Sequence, residues 1–195
     1  MDADGLIAAC ATGTEERAAR RAGYRTARVG IRASRGVPAG ELVSFGVAGG
    51  LNGAPIGTVI DATRVVDESG TVLWEGKGLG LGRPGTILAI DRLVDDPAEL
   101  RRLHEETGAN AVDMESGVLA ATGRLRGCVR AISDSPQEPL GRLARAVTPD
   151  GRAEPLEFLA ALALAPKNTV RALVNIRRAL RALSRASATG GSGSA

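Results

Sequence analysis

At 195 residues, the chain is long enough for one domain with a real hydrophobic core. Its 44% hydrophobic and 24% charged residues are ordinary globular proportions. A net charge of +3 and an aromatic content of 2% argue against a nucleic-acid-binding role, which needs a basic surface and side chains that stack on bases. The core must therefore be built from Ala, Val, Leu and Ile. Cys10 and Cys128 are isolated and form no CxxC, so a reducing, cytoplasmic compartment is expected. His104 is the only histidine and lies in the charged run RRLHEETG, which rules out paired-His zinc sites and disfavours a Ser-His-Asp triad. No apolar run approaches the ~20 residues of a membrane span. LIAACA is too short, and lacks the basic flank, to serve as a signal-peptide core.

In chain order, GLIAAC (5–10) reads as a buried strand. TEERAARRAG (14–23) reads as a helix, with Thr12 or Thr14 as its cap and Gly23 as its stop. TARVGI (26–31) is a second strand, and ELVSFGVAGGL (41–51) a third that ends in a glycine-rich turn. The β-branched runs over 57–76, broken by Glu-Ser-Gly, suggest a hairpin or two adjacent strands. A flexible loop over 76–85 leads to a strand at 86–90. Residues 96–108 read as a helix with Asp96 as N-cap, Pro97 at its first position and Gly108 as stop. NAVDM (110–114) is strand-like and passes into a helix, and CVRAIS (128–133) is another strand. Helices are expected near 140–147, 154–164 and 168–186, and residues 188–195 form a flexible tail after a single domain over 1–187. Alternating strands and helices predict an α/β fold in three layers, with a central mixed, mainly parallel sheet flanked by helices.

In such sheets ligands sit beyond the carboxyl ends of the strands. Three stretches stand there: SFGVAGGL, VDMES and RAISDSP. The glycines let a ligand approach the backbone. Glu115 can accept hydrogen bonds from two vicinal hydroxyls, and Met114 offers a soft surface for a sugar face. Asp134 can act as an acid if burial raises its pKa. A diol clamp, an apolar face and an acid together suit cleavage of a glycosidic bond to a base, through an oxocarbenium-like state. The alternative is structural, with Asp113 and Glu115 capping a helix and Asp134 capping a turn.

RAISD (130–134), VDMES (112–116) and SFGVAGGL (44–51), in this order and spacing, resemble the nucleoside phosphorylase and nucleosidase superfamily over roughly residues 5–135. VSFGVAGGL, TGANAVDMES, TPDG (148–151) and the basic C-terminal helix resemble its hopanoid-associated subgroup most. The resemblance implies release of adenine from a nucleoside: adenosylhopane first, methylthioadenosine or S-adenosylhomocysteine as the alternative. It also implies roles. Glu115 would hold the ribose hydroxyls, and Met114 would pack on the sugar. Asp134, assisted by Ser133, would act at the purine N7. Arg130 would orient Asp113 or a polar substrate group. Gly46, Val47, Ala48 and Gly49 would line the nucleophile's pocket. No metal or organic cofactor is implied, inorganic phosphate being the one co-substrate to consider. A homo-oligomer is expected by analogy.

The chain departs from the family at several points. Val47 stands where many relatives carry Ser or Thr near phosphate or water. The hydrolases place a water-activating Glu after the first strand. Ungapped alignment puts Arg17 there, and a shift of one or two residues restores a carboxylate, with Glu16 taken as the base. Arg17 itself would suit phosphate, and a solvated helix face is the alternative for all three residues of Glu15–Arg17. Leu93 replaces a base-stacking aromatic. About ten residues separate VGI from ELVSFG, fewer than a helical crossover needs. These departures also admit a non-catalytic nucleoside- or lipid-binding relative. In the C-terminal helix, Leu173, Ile176, Leu180 and Leu183 form an apolar stripe opposite Arg171, Arg177, Arg178, Arg181 and Arg185. That pattern fits a docked helix with a solvated basic face, or peripheral contact with anionic lipid at the inner membrane.

Overall fold

The computed structural model describes residues 5–94, 96–141 and 154–186, together with Leu143, Ala146, Thr148 and Arg152. The expected tail, most of TPDG and half of the helix expected over 140–147 lie outside the described residues.

Strand β1 (Ile7–Cys10) leads into helix α1 (Gly13–Arg21) and strand β2 (Arg25–Arg28). Strand β3 (Leu42–Gly50) follows a loop with one 3-10 turn at Ile31–Ala33, so the short crossover indeed carries no α-helix. Strands β4 (Val59–Val66) and β5 (Val72–Glu75) form the expected antiparallel hairpin. Strand β6 (Arg83–Ala89) takes in the end of the expected loop, and α2 (Pro97–Thr107) follows. Asp96 caps α2 by accepting from the Ala98 amide, and Gly108 ends it at φ 67°, where a Cβ would be strained. Strand β7 (Ala111–Asp113), the short helix α3 (Ser116–Ala120) and strand β8 (Leu125–Asp134) complete the sheet. Helices α4 (Pro155–Leu164) and α5 (Pro166–Arg185) close the described chain.

The sheet is mixed and mainly parallel. β1 lies between β2 and β3, parallel to both. β3 runs parallel to β8 and β4 parallel to β6, while β4 and β8 are antiparallel. β6 pairs parallel with β7, whose Ala111 and Val112 pair antiparallel with the tip of β3. The pairings β3–β7–β6–β4–β8–β3 therefore close into a ring. The three strand ends singled out in the sequence do converge, although β7 reaches the tip of β3 from the opposite direction.

Period-two alternation on β8 sends Val129 and Ala131 into an apolar layer with Val43, Phe45, Ala18, Ala19 and Leu183, covered by α1 and α5. Cys128 and Ile132 point the other way, into the ring, with Ile60, Ala62, Ile87 and Leu119. Arg130 shares their parity and is completely buried. The alanines of α1 let it pack close to the sheet. Phe45, fully buried against Tyr24 with ring centroids 5.5 Å apart, supplies the layer's largest apolar side chain, about 1.5–3 kcal/mol of burial. A third apolar group, with Leu88, Leu100, Leu103 and Val112, seats α2.

Candidate active site

A cavity of about 680 Å³ opens where the ends of β1, β3, β7 and β8 meet. Its polar wall includes Glu15, Asp113, Glu115, Ser133 and Asp134, and its apolar wall includes Leu140, Phe158, Leu173, Ile176 and Leu180. Among the residues proposed from sequence, Val47, Ala48, Gly49, Leu93, Asp113, Met114, Glu115, Ser133 and Asp134 all line it. Gly46 and Arg130 stand behind the wall. Glu16 does not reach it, and this placement corrects the sequence reading. Its carboxylate pairs with Arg20 at 2.6 Å and accepts from the Thr26 hydroxyl at 3.3 Å, on the outer side of α1.

Glu15 is the carboxylate that α1 turns inward, and it is only 3% exposed. Thr12 caps α1, and its backbone N–H and hydroxyl donate to Glu15 Oε2 at 2.8 and 2.9 Å. Glu15 Oε1 accepts from the Val47 amide at 2.8 Å. The carboxylate is thus held in one orientation between the first turn of α1 and β3. A sequence signal for it exists: Thr12-Gly-Thr-Glu15 is a capping box, which pins the third helical residue back onto the cap.

Glu115 and Asp113 share one buried cation. Arg130 Nη2 pairs with Asp113, lies 3.6 Å from Glu115 Oε2 and donates to the Ser44 hydroxyl at 2.6 Å. Ser116 donates its hydroxyl to Asp113 Oδ2 and its amide to Oδ1. Removing either partner of the buried Arg130–Asp113 pair would strand a charge, at about 3–5 kcal/mol. Burial alone would lower the Arg130 pKa, but Asp113, Cys128, Glu115 and Glu15 outweigh it and keep the guanidinium charged. Glu115 has less compensation. Burial pushes its carboxyl up to about 8, Arg130 opposes that shift, and Asp113 and Glu15 add to it. Its Oε1 accepts from the Arg32 amide at 3.1 Å, and Arg32 holds this position at φ 55°, rare for a non-glycine residue.

A side chain at Gly46 would run into both Arg130 Nη1 and Glu15 Oε1. Glycine there lets the buried cation and the inward carboxylate lie over one strand. Gly46→Ala is expected to destabilise the fold by about 1–3 kcal/mol, since both neighbours are buried and would have to shift out of their hydrogen bonds to Val47 and Ser44. Urea denaturation would read this as a lower midpoint with an unchanged slope.

Asp134 ends β8 in the cavity wall. Burial raises its pKa, and the Ser133 hydroxyl, 2.6 Å from Oδ1, partly offsets the rise. Gly49 leaves it room, since a Cβ there would stand 3.0 Å from Asp134 Oδ2. Leu93, 46% exposed, stands at the rim. Two cations that the sequence reading did not bring together, Arg17 and Arg28, enter the wall beside the first turn of α1. A Cβ on Gly13 would lie 3.8 and 3.3 Å from their Nη1 atoms. Among the described residues, no three His, Cys, Asp or Glu side chains are grouped to hold a metal ion.

No protein-family model and no curated protein sequence matches the chain. Solved structures do. Campylobacter jejuni 5′-methylthioadenosine/S-adenosylhomocysteine nucleosidase superposes with a TM-score of 0.56 at 15% identity, over 93% of this chain and 99% of that one. Arabidopsis thaliana 5′-methylthioadenosine nucleosidase gives 0.55 at 13% identity, over 99% and 98%. Helicobacter pylori futalosine hydrolase gives 0.54 at 15% identity, over 90% and 97%. The chain thus has the α/β fold of the nucleoside phosphorylases and nucleosidases, as its motifs implied.

Proposed function

We propose that this protein hydrolyses the N-glycosidic bond of an adenine nucleoside with a 5′ thioether, of the methylthioadenosine or S-adenosylhomocysteine kind. One observation carries the reading: Glu15, Glu115 and Asp134 face a single cavity from three different environments. Glu15, held by Thr12 and Val47, takes a proton from water as its oxygen attacks C1′. The C1′–N9 bond breaks and its electron pair goes to the purine, which Asp134 protonates at N7. Glu115 accepts from the 2′ and 3′ hydroxyls, and Met114 packs on the sugar. Arg130 and Asp113 hold this arrangement from behind. The names of the structural neighbours support the same chemistry and favour a small 5′ thioether over a hopanoid.

The test is adenine release from methylthioadenosine, with and without phosphate. The expected products are adenine and a free reducing sugar, with no phosphate requirement. Glu15→Gln is expected to lose about 10²–10⁴ in rate, and Glu16→Gln to stay within severalfold of wild type. Equal losses in both variants would refute the assignment of the base. A sugar 1-phosphate product would mean phosphorolysis, with Arg17 and Arg28 as the anion's partners.

A second reading rests on the apolar wall of Phe158, Leu173, Ile176 and Leu180, which suits a large hydrophobic 5′ group such as that of adenosylhopane. A higher kcat/KM for adenosylhopane than for methylthioadenosine would select it. Binding of either nucleoside without turnover would select the non-catalytic alternative. A homo-oligomer remains part of the proposal by family analogy, and light scattering of the purified chain tests it.

A further inference from the structure

Helices α4 and α5 wall the cavity with their inner faces, and their outer faces are unusual. On α4, Leu156 is 76% exposed, Leu159 58% and Leu164 65%. On α5, the exposed residues Lys167, Val170, Arg171, Val174, Arg178, Arg181 and Arg185 recur at helical spacing, with Arg177 beside them. The helix contains no acidic residue. None of its basic side chains has a carboxylate partner among the described residues, whereas arginines elsewhere on the surface pair repeatedly. The two sets meet at the α4–α5 junction, where Leu164, Lys167 and Val170 are all exposed.

We propose that this face docks on an anionic lipid surface. Exposed leucines beside unpaired cations match what an interfacial helix needs: apolar side chains to enter the acyl boundary, and arginines at headgroup level. Charge complementarity selects this occupant over a second copy of the chain. A two-fold interface would set the same face against itself, cation against cation, with no acid on α5 to relieve it. It also disfavours nucleic acid, because the one aromatic of the two helices, Phe158, is turned into the cavity wall. No described helix is long and apolar enough to cross a membrane, so docking would be peripheral. Docking places one wall of the cavity against the bilayer. It does not depend on the glycosidic chemistry, because flotation is read without a nucleoside.

The experiment is flotation of the full chain with phosphatidylcholine vesicles, with and without phosphatidylglycerol. Binding is expected only to the anionic vesicles and is expected to fall as salt rises. Arg171→Gln/Arg181→Gln should weaken it by roughly an order of magnitude. Leu156→Ser/Leu159→Ser should also weaken it while leaving adenine release from soluble methylthioadenosine unchanged. No flotation with anionic vesicles, or equal flotation of both double variants and wild type, would overturn the proposal. So would a dimer in light scattering that Leu156→Ser/Leu159→Ser dissociates, without any vesicle binding.

Discussion

Asp134→Asn is expected to reduce adenine release by about 10²–10⁴ while leaving the fold intact. Asparagine keeps the shape of the side chain, and the Ser133 hydroxyl can still donate to its amide oxygen. What disappears is the proton. Burial raises the Asp134 pKa, so its acid form persists to higher pH than an exposed aspartate would allow. An acid must be protonated to act, so kcat/KM should fall as pH rises through that raised pKa. In Asp134→Asn the residual rate should lack this alkaline limb. Stability falls with rising pH as well. A carboxyl whose folded pKa is raised loses stability as pH rises from its unfolded value to its folded one. The variant should therefore be at least as stable as wild type at alkaline pH. A variant that lost both activity and thermal stability there would show Asp134 to be structural.

Glu115→Gln should separate binding from stability still further. If Glu115 clamps a ribose diol, it must accept two hydrogen bonds as a carboxylate, each worth about 1.5–3 kcal/mol. The variant is expected to raise KM by roughly one to two orders of magnitude. With its pKa near 8, Glu115 is mostly protonated in the free protein at pH 7. Nucleoside binding should then release a proton, and affinity should rise with pH up to about 8. Calorimetry in two buffers of different ionisation enthalpy reads that proton directly; unchanged apparent enthalpy would rule out the clamp. The folded pKa lies above the ordinary value of 4.5, so native Glu115 holds its proton more tightly than the unfolded chain does across that interval. Its contribution to stability is therefore lost as pH rises from about 4.5 to about 8. Glu115→Gln should flatten that slope and raise Tm at pH 8 and above, at about 2–4 °C per kcal/mol recovered. The carboxylate destabilises the fold under the conditions in which it would bind substrate, which is common for functional carboxylates.

Much of this molecule follows from local sequence. Asp96, Pro97 and Gly108 bound α2 because capping and left-handed backbone are decided within a turn or two. VRAIS reads as a strand from its β-branched and apolar residues, and period two puts Arg130 and Ile132 on one face; the register shift between Ala48 and Gly49 takes Asp134 out of that parity. The clustering of SFGVAGGL, VDMES and RAISD at strand ends was legible too, since α/β sheets place ligands there. The short crossover before β3 was visible as a count of residues too small for a helix.

Other features depended on contacts distant in sequence. Glu15 and Glu16 are neighbours on a helix, about 100° apart, and composition cannot say which one faces β3. The capping box points to Glu15, but only its bond to the Val47 amide, across 32 residues, places it in the cavity. Arg130 is an ordinary strand residue until Ser44, Asp113 and Gly46 surround it. Ring closure rests on β7 meeting the tip of β3 antiparallel, a register no local pattern encodes. The apolar stripe on α5 was visible in the sequence, but not that it would wall the same cavity as Asp134. Local rules fix where the backbone turns and which residues share a face. Which faces meet is decided by packing the whole chain, because a buried charge or an inward carboxylate is stable only with partners that lie elsewhere in the sequence.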